Sequence, residues 1–126
     1  MVQPPPVNRH KSVGGLARIR RAFGYSLAGL RTAIAREHAF RQELALAAVL
    51  IPVALFLPAS PPGKAALVAS VLLVLVVELL NSAVESVVDL VSPGDHALAA
   101  RAKDLGSAAV FVSLVNLAAT WLLVLF

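Results

Sequence analysis

Three long apolar segments constrain this chain more than any other feature of its sequence. They cover about residues 39–58, 65–91 and 105–126. A helix needs about 20 mostly apolar residues to cross a membrane, where it satisfies its own backbone hydrogen bonds. The composition agrees, because 59% of the residues are hydrophobic, whereas soluble domains contain roughly 45–50%. We therefore predict an all-α integral membrane protein with three transmembrane helices.

The residues before the first apolar segment predict a fourth helix, of a different kind. Its apolar side chains fall within an arc of about 80° at helical spacing, and they are Leu16, Ile19, Phe23, Leu27, Leu30 and Ile34. Arg18, Arg21 and Arg36 point elsewhere. A basic amphipathic helix of this type lies along the membrane surface. We expect it at about residues 16–36, after a disordered tail at residues 1–15 that contains three consecutive prolines.

The distribution of positive charge predicts how the chain is oriented. Eight of the eleven Lys and Arg residues precede the first span, one lies in the first loop, and two lie in the second. The positive-inside rule then places the N-terminus and the second loop in the cytoplasm, and the first loop and the C-terminus outside. The basic excess attracts anionic lipid headgroups rather than a nucleic-acid polymer. We expect a tight external turn at residues 58–64 and a cytoplasmic connection at residues 92–104.

The second apolar segment carries polar side chains that share one helical face. They are Glu78, Asn81, Glu85 and Asp89, with Ser82 at the edge of that face. A charged side chain at the bilayer centre costs at least about 2.5–3.5 kcal/mol, so such groups face protein or water and usually serve a function. A desolvated Glu78 is a candidate general base. For Asn81 and Ser82, polar contacts between helices are an equally simple explanation.

A second acidic pair, Glu37 and Glu43, lies at the start of the first span. If the first two spans pack antiparallel, Glu37 can approach Glu85 at a similar depth. Two carboxylates with water oxygens suit Mg²⁺, often completed by a phosphate. A solvated or arginine-paired state is the alternative for this pair. The three histidines are too scattered for a zinc site, and the chain has no cysteine.

The "RAKD" stretch at the entry to the third span adds cations that suit phosphate groups, namely Arg101 and Lys103. Anchoring by the positive-inside rule explains the same residues, so both explanations stay open. No P-loop pattern occurs in the chain. A desolvated base, an acidic pair and nearby cations together suit phosphoryl transfer, which depends on positioning and on neutralisation of charge. The acceptor could be a lipid hydroxyl.

Four stretches, "GYSLAGLR", "AFRQE", "VELLNSAVESVVD" and "RAKDLGSAAV", resemble the small integral-membrane diacylglycerol kinases of bacteria, of the Gram-negative type. The resemblance runs from about Leu16 to Phe126, which implies one membrane kinase domain at residues 16–126. It implies a homotrimeric helical bundle in the bacterial inner membrane, with sites shared between subunits. The implied reaction moves the γ-phosphate of MgATP to diacylglycerol, giving phosphatidic acid in phospholipid recycling.

The resemblance also implies roles for individual residues. Glu78 matches the catalytic base and Asn81 a residue that supports the site, while Glu37 and Glu85 match the carboxylates that bind Mg²⁺. The positions that bind the nucleotide in the family correspond here to Arg18, Tyr25, Glu37, Glu85, Gly94, Asp95, His96, Lys103 and Asp104. The positions that line the lipid substrate in the family correspond here to Arg18, Phe23, Ser26, Arg31, Arg41, Gln42, Glu43, Glu78, Ser107 and Trp121.

Three other functions fit parts of the sequence. An undecaprenol kinase has the same fold and the same catalytic residues, and only the overall likeness to Gram-negative members favours diacylglycerol. An oligomeric proton or cation pathway also uses aligned intramembrane acids. Such a pathway should carry polar groups across the whole span, whereas residues 65–77 have one polar side chain before Glu78. A noncatalytic helix-association module leaves Glu78 and Glu85 unexplained.

Overall fold

The computed structural model describes residues 2–6 and 14–126 of the chain. Within them it contains four helices and no strand: α1 (Gly15–Arg36), α2 (His38–Phe56), α3 (Pro61–Val91) and α4 (Ala97–Leu125). By length and composition, α2, α3 and α4 can each cross a membrane. This confirms the predicted all-α membrane architecture of one amphipathic helix followed by three spans.

The predicted tail at residues 1–15 is only partly described. Residues 2–6 are exposed and have no regular secondary structure, whereas residue 1 and residues 7–13 lie outside the described residues. Gly15 begins α1 with a φ of +62°, a left-handed conformation that glycine adopts at no steric cost. The predicted disorder of the tail therefore stays a prediction.

The α3 helix begins earlier than the sequence predicted because its first turn is capped. Ser60 precedes the helix, and its Oγ accepts a hydrogen bond of 3.2 Å from the Gly63 N–H. Pro61 occupies the first helical position, where a missing N–H costs nothing. The predicted external turn at residues 58–64 was therefore too long at its C-terminal end, and the turn ends at Ser60.

The α4 helix also begins earlier than predicted, and for the same kind of reason. His96 is its N-cap, and the ring Nδ1 accepts a 3.0 Å hydrogen bond from the Leu98 N–H. The connection between α3 and α4 therefore covers residues 92–96, and the prediction that it continues to residue 104 was wrong. Arg101, Lys103 and Asp104 consequently lie on the first turns of α4, which fixes their spacing.

The α3 helix is the centre of the fold, because it packs against both α2 and α4, while α1 packs against α2. The α2 side chains in this core repeat every seventh residue, at Phe40, Ala47 and Ala54, each at most 3% exposed. A seven-residue repeat keeps one helical face towards its neighbour. Small residues allow two membrane helices to approach closely, so that packing contacts stabilise the pair.

Many large apolar side chains outside this core are exposed in the described chain. Phe56, Leu90 and Leu123 are each more than 80% exposed. The apolar face of α1 is equally bare, since Leu16 is 82% and Phe23 64% exposed. These surfaces are what the predicted lipid environment and the predicted surface location of α1 require.

Candidate active site

Four glutamates from three parts of the fold form an acidic cluster: Glu37, Glu43, Glu78 and Glu85. Glu78 is 6% exposed on α3. Its carboxyl group lies close to that of Glu43 on α2 and interacts electrostatically with Glu85 and Glu37. The packing of α2 against α3 thus brings together the two acidic sets that are about 40 residues apart in the sequence. Their chemical roles stay predictions.

Glu37 occupies the joint between α1 and α2. Its φ of −104° and ψ of 106° are extended, so it interrupts the helix at one residue. Its N–H donates to the Ala33 carbonyl at 2.9 Å, and its carbonyl accepts from the Arg41 N–H at 3.2 Å. The residue predicted to bind metal therefore ends one helix and begins the next, which fixes its backbone beside the cluster.

The Arg41 side chain stabilises the same joint. Its Nη1 donates to the carbonyls of Ile34 at 2.9 Å and Ala35 at 3.3 Å, which otherwise lack a partner at the end of α1. Its Nη2 contacts the His38 Nδ1 at 3.2 Å, and since a guanidinium can only donate, the imidazole nitrogen accepts. In this structure Arg41 caps a helix, a role that the sequence did not predict.

Asn81 connects the cluster to α4. Its Nδ2 donates to Glu85 Oε1 at 3.4 Å, one helical turn away on α3. Its Oδ1 is buried, as is Oε2 of Glu43, and neither atom has a hydrogen-bond partner among the described residues. Buried oxygens are normally satisfied. The unsatisfied Glu43 oxygen, close to Glu78, therefore suits a site that receives a cation or a donor hydroxyl.

The donor set fits Mg²⁺ only in part. Within residues 2–6 and 14–126, no three His, Cys, Asp or Glu side chains form a group that could hold a metal ion by themselves. Mg²⁺ commonly takes one or two carboxylates and completes its octahedron with water and substrate phosphates. The predicted ligands Glu37 and Glu85 would supply that smaller protein share, so the residues present fit an ion that arrives with a nucleotide.

A cavity of about 530 Å³ lies where α3 ends and α4 begins. Four residues predicted for the nucleotide side line it: Gly94, Asp95, His96 and Lys103. Lys103 Nζ is 2.6 Å from Asp89 Oδ1 in the same cavity. Asp89 follows Glu85 by one turn, or about 6 Å of helix rise. The cavity therefore adjoins the acidic cluster.

A second cavity, of about 600 Å³, forms a groove between α1 and α3. Of its lining residues, the sequence predicted Ser26 for the lipid side and Glu37 for the metal and the nucleotide, and it did not assign Gly29, Thr32, Ser82 or Ser86 to a site. The hydroxyls of Ser26, Thr32 and Ser86 each donate to a carbonyl of their own helix at 3.0 Å. Because these hydroxyls are already satisfied, the groove presents a wall with little need for water. The position of Ser82 at the edge of the acidic face was the signal for this wall.

The remaining predicted residues are not brought to either cavity. Trp121 donates from Nε1 to Ser70 Oγ at 3.2 Å, and Ser70 precedes Glu78 by about 12 Å of helix rise. It therefore stabilises α3 against α4 away from the cluster. Besides Trp121 and the helix-capping Arg41, the described residues that were predicted for a site but neither line these cavities nor contact the cluster are Arg18, Phe23, Tyr25, Arg31, Gln42, Asp104 and Ser107.

Comparison with known proteins identifies the family. The sequence pattern described as prokaryotic diacylglycerol kinase matches residues 24–125. A diacylglycerol kinase of Pseudomonas aeruginosa is 51% identical over 115 residues, covering 91% of this chain and 94% of the relative. Those of Haemophilus influenzae and Escherichia coli K12 are 46% and 43% identical, covering 85% and 88% of this chain and 91% of each relative. The resemblance found in the sequence is thereby confirmed, and this chain belongs to the prokaryotic diacylglycerol kinase family.

Proposed function

We propose that this protein is a membrane kinase that transfers the γ-phosphate of MgATP to the hydroxyl of diacylglycerol, giving phosphatidic acid. One observation carries the proposal: the buried Glu78 cluster adjoins two different cavities. Glu37 lines the groove between α1 and α3 and interacts with Glu78. Asp89, one turn beyond Glu85, lines the cytoplasmic cavity with Lys103. A water-poor groove for a lipid and a charged cavity for a nucleotide would thus lie on two sides of one acidic cluster.

In the proposed reaction, Glu78 accepts the proton of the lipid hydroxyl. The hydroxyl oxygen forms a bond to the γ-phosphorus, and the bond from that phosphorus to the β,γ-bridging oxygen breaks, which releases ADP. Glu37 and Glu85 would hold Mg²⁺, which when bound neutralises charge on the transferred phosphoryl group. Asn81 donates to Glu85 Oε1 and thereby orients that carboxylate. Burial of Glu78 excludes water from the base, which limits hydrolysis of ATP.

The cytoplasmic cavity supplies the proposed nucleotide contacts. Lys103 pairs with Asp89 in this structure, and phosphate oxygens would replace that carboxylate when ATP binds. The His96 ring and the Asp95 carboxylate would then face the nucleoside. Arg18, Tyr25 and Asp104 are proposed contacts on the strength of the family resemblance. They do not line this cavity in one chain, which is expected if a homotrimer shares each site between subunits.

The groove between α1 and α3 supplies the proposed place for the acyl chains. Three of its four hydroxyls donate to carbonyls of their own helices, so apolar chains can lie against them without leaving those donors unpaired. The exposed apolar face of α1 would rest in the lipid interface. With the N-terminus in the cytoplasm and the C-terminus outside, the site opens to cytoplasmic ATP. The protein would then return diacylglycerol to phospholipid synthesis in the bacterial inner membrane.

Phosphate transfer from γ-labelled ATP by the purified full chain in mixed micelles tests this proposal. Diacylglycerol and undecaprenol are offered separately, with and without Mg²⁺. The Glu78→Gln variant, purified in the same way, measures the phosphate transfer due to any contaminating kinase. We expect Mg²⁺-dependent labelling of phosphatidic acid that the variant lacks. Label on undecaprenol alone would assign the sister activity. No transfer to either lipid by folded, trimeric protein would refute the kinase function and leave ion flux in liposomes as the function to measure.

A further inference from the structure

Gly106 on α4 lies directly against the Asn81 side chain on α3. A Cβ atom built at Gly106 would overlap with Asn81 Oδ1 and would lie 3.2 Å from Asn81 Cγ. The overlapping atom belongs to an amide that is confined between two packed helices. Any side chain at position 106 therefore requires the amide to move or the two helices to separate.

Position 106 requires glycine because a side chain there would have no space, and not because of its backbone conformation. Among the described glycines only Gly15 has a positive φ, so an L-residue could adopt the backbone of Gly106. Glycine is also a poor helix former compared with alanine. At Gly24 and Gly29, by contrast, a Cβ would meet no other atom within 4 Å among the described residues. Gly106 is thus the one glycine of the described chain whose Cβ would overlap with a residue of the predicted site.

The hydrogen bond to Glu85 decides which way the Asn81 amide points. With Oδ1 against Gly106, the Nδ2 group faces Glu85 and donates to Oε1 at 3.4 Å. The opposite orientation would place the Asn81 amide oxygen against the Glu85 carboxylate. Both groups are acceptors, so no hydrogen bond could form between them. A side chain at position 106 that displaces the amide therefore also removes the hydrogen bond to Glu85.

We propose that Gly106 is a positioning residue, whose missing side chain admits the Asn81 amide between α3 and α4 and keeps it bonded to Glu85. The catalytic consequence rests on the function proposed above, in which Glu85 holds Mg²⁺. A hydrogen-bonding partner of a metal ligand orients that ligand, and its loss typically costs about 10–100-fold in metal affinity or activity. Gly106 acts through Asn81 and need not touch the substrates itself.

The side-chain amide signal of Asn81 tests the geometry without any enzyme assay. The chain contains three asparagines, at positions 8, 81 and 116, so ¹⁵N-asparagine labelling gives three resolvable NH₂ groups in micelles. Asn81→Asp assigns the signal by removing it. We expect Gly106→Ala to shift the Asn81 signal and Gly24→Ala, where a Cβ has open space, to leave it in place. An unchanged Asn81 signal in Gly106→Ala would overturn the proposal.

Steady-state kinetics test the consequence. We expect Gly106→Ala to lower kcat about 10–100-fold and to raise the Mg²⁺ concentration for half-maximal activity, with the KM for diacylglycerol unchanged. Gly24→Ala should match the wild type. Equal changes in the KM for ATP and the KM for diacylglycerol, with kcat unaltered, would contradict a positioning role. If the wild type transfers no phosphate, the kinase function fails, while the NMR result still decides the role of Gly106.

A double variant separates positioning from misfolding. In Asn81→Ala the amide is absent, so adding Gly106→Ala should cost no thermal stability in micelles. In the wild-type background the same change should lower the unfolding temperature. If Gly106→Ala destabilises both backgrounds equally, the glycine serves helix packing in general and the proposal is wrong.

Discussion

Replacing Glu78 by glutamine should abolish phosphate transfer without weakening the fold. Glutamine has the shape of glutamate and can donate a hydrogen bond to the Glu43 carboxylate, so we expect the packing of α2 against α3 to be retained. It cannot accept the proton of the lipid hydroxyl. Loss of a general base typically costs about 10²–10⁴ in rate, which corresponds to roughly 3–5 kcal/mol of transition-state stabilisation.

The expected change in stability has the opposite sign. Glu78 and Glu85 are seven residues apart on α3, or about 10 Å of helix rise. Two unit charges at that separation repel by about 1.6 kcal/mol at an effective dielectric constant of about 20. Glutamine removes this repulsion, so the free energy of unfolding should stay the same or rise by up to about 1.6 kcal/mol. Sites built for function commonly show this trade-off.

Two measurements on the same preparation decide the matter. Transfer of label from ATP to diacylglycerol gives kcat and KM, and thermal unfolding followed by circular dichroism in micelles gives stability. Asn116→Ala, which removes an exposed polar side chain from α4 away from the cluster, is the control for changes inside the membrane. A kcat within tenfold of wild type in folded Glu78→Gln would refute the assignment of the base. If activity and stability fall together in this variant, Glu78 instead serves as a polar contact between helices.

Three further substitutions separate the parts of the site. Glu85→Gln should raise the Mg²⁺ concentration for half-maximal activity by about tenfold or more, because even an outer partner of a metal ligand is worth about 10–100-fold; an unchanged Mg²⁺ titration would exclude Glu85 as a ligand. Ser82→Leu fills the groove between α1 and α3, so steady-state kinetics should show a higher KM for diacylglycerol and an unchanged KM for ATP. A change in the ATP constant alone would contradict the assignment of the groove. Asp89→Asn removes the charge that pairs with Lys103, so the KM for ATP should fall, most clearly at low salt, where screening is weak. A rise in that constant would show that Asp89 itself helps to bind the nucleotide.

The acidic face of α3 could be predicted well because it depends on a single helix. The positions of Glu78, Asn81 and Glu85 along one face follow from 3.6 residues per turn, and the structure retains that face. The lengths of the apolar runs likewise predicted three spans. Helix ends were predicted less well, since a Ser60 or His96 side chain that caps a helix can add several residues to it.

The sequence by itself determined the elements and the faces they carry, because hydrophobicity, charge and helical period are local properties of the chain. Only the tertiary structure decided which residues meet between elements. The approach of Glu43 to Glu78, the cap that Arg41 places on α1, and the space at Gly106 for Asn81 all depend on how two helices pack. Such contacts arise from the relative position and rotation of packed helices, which the pattern of one helix does not contain.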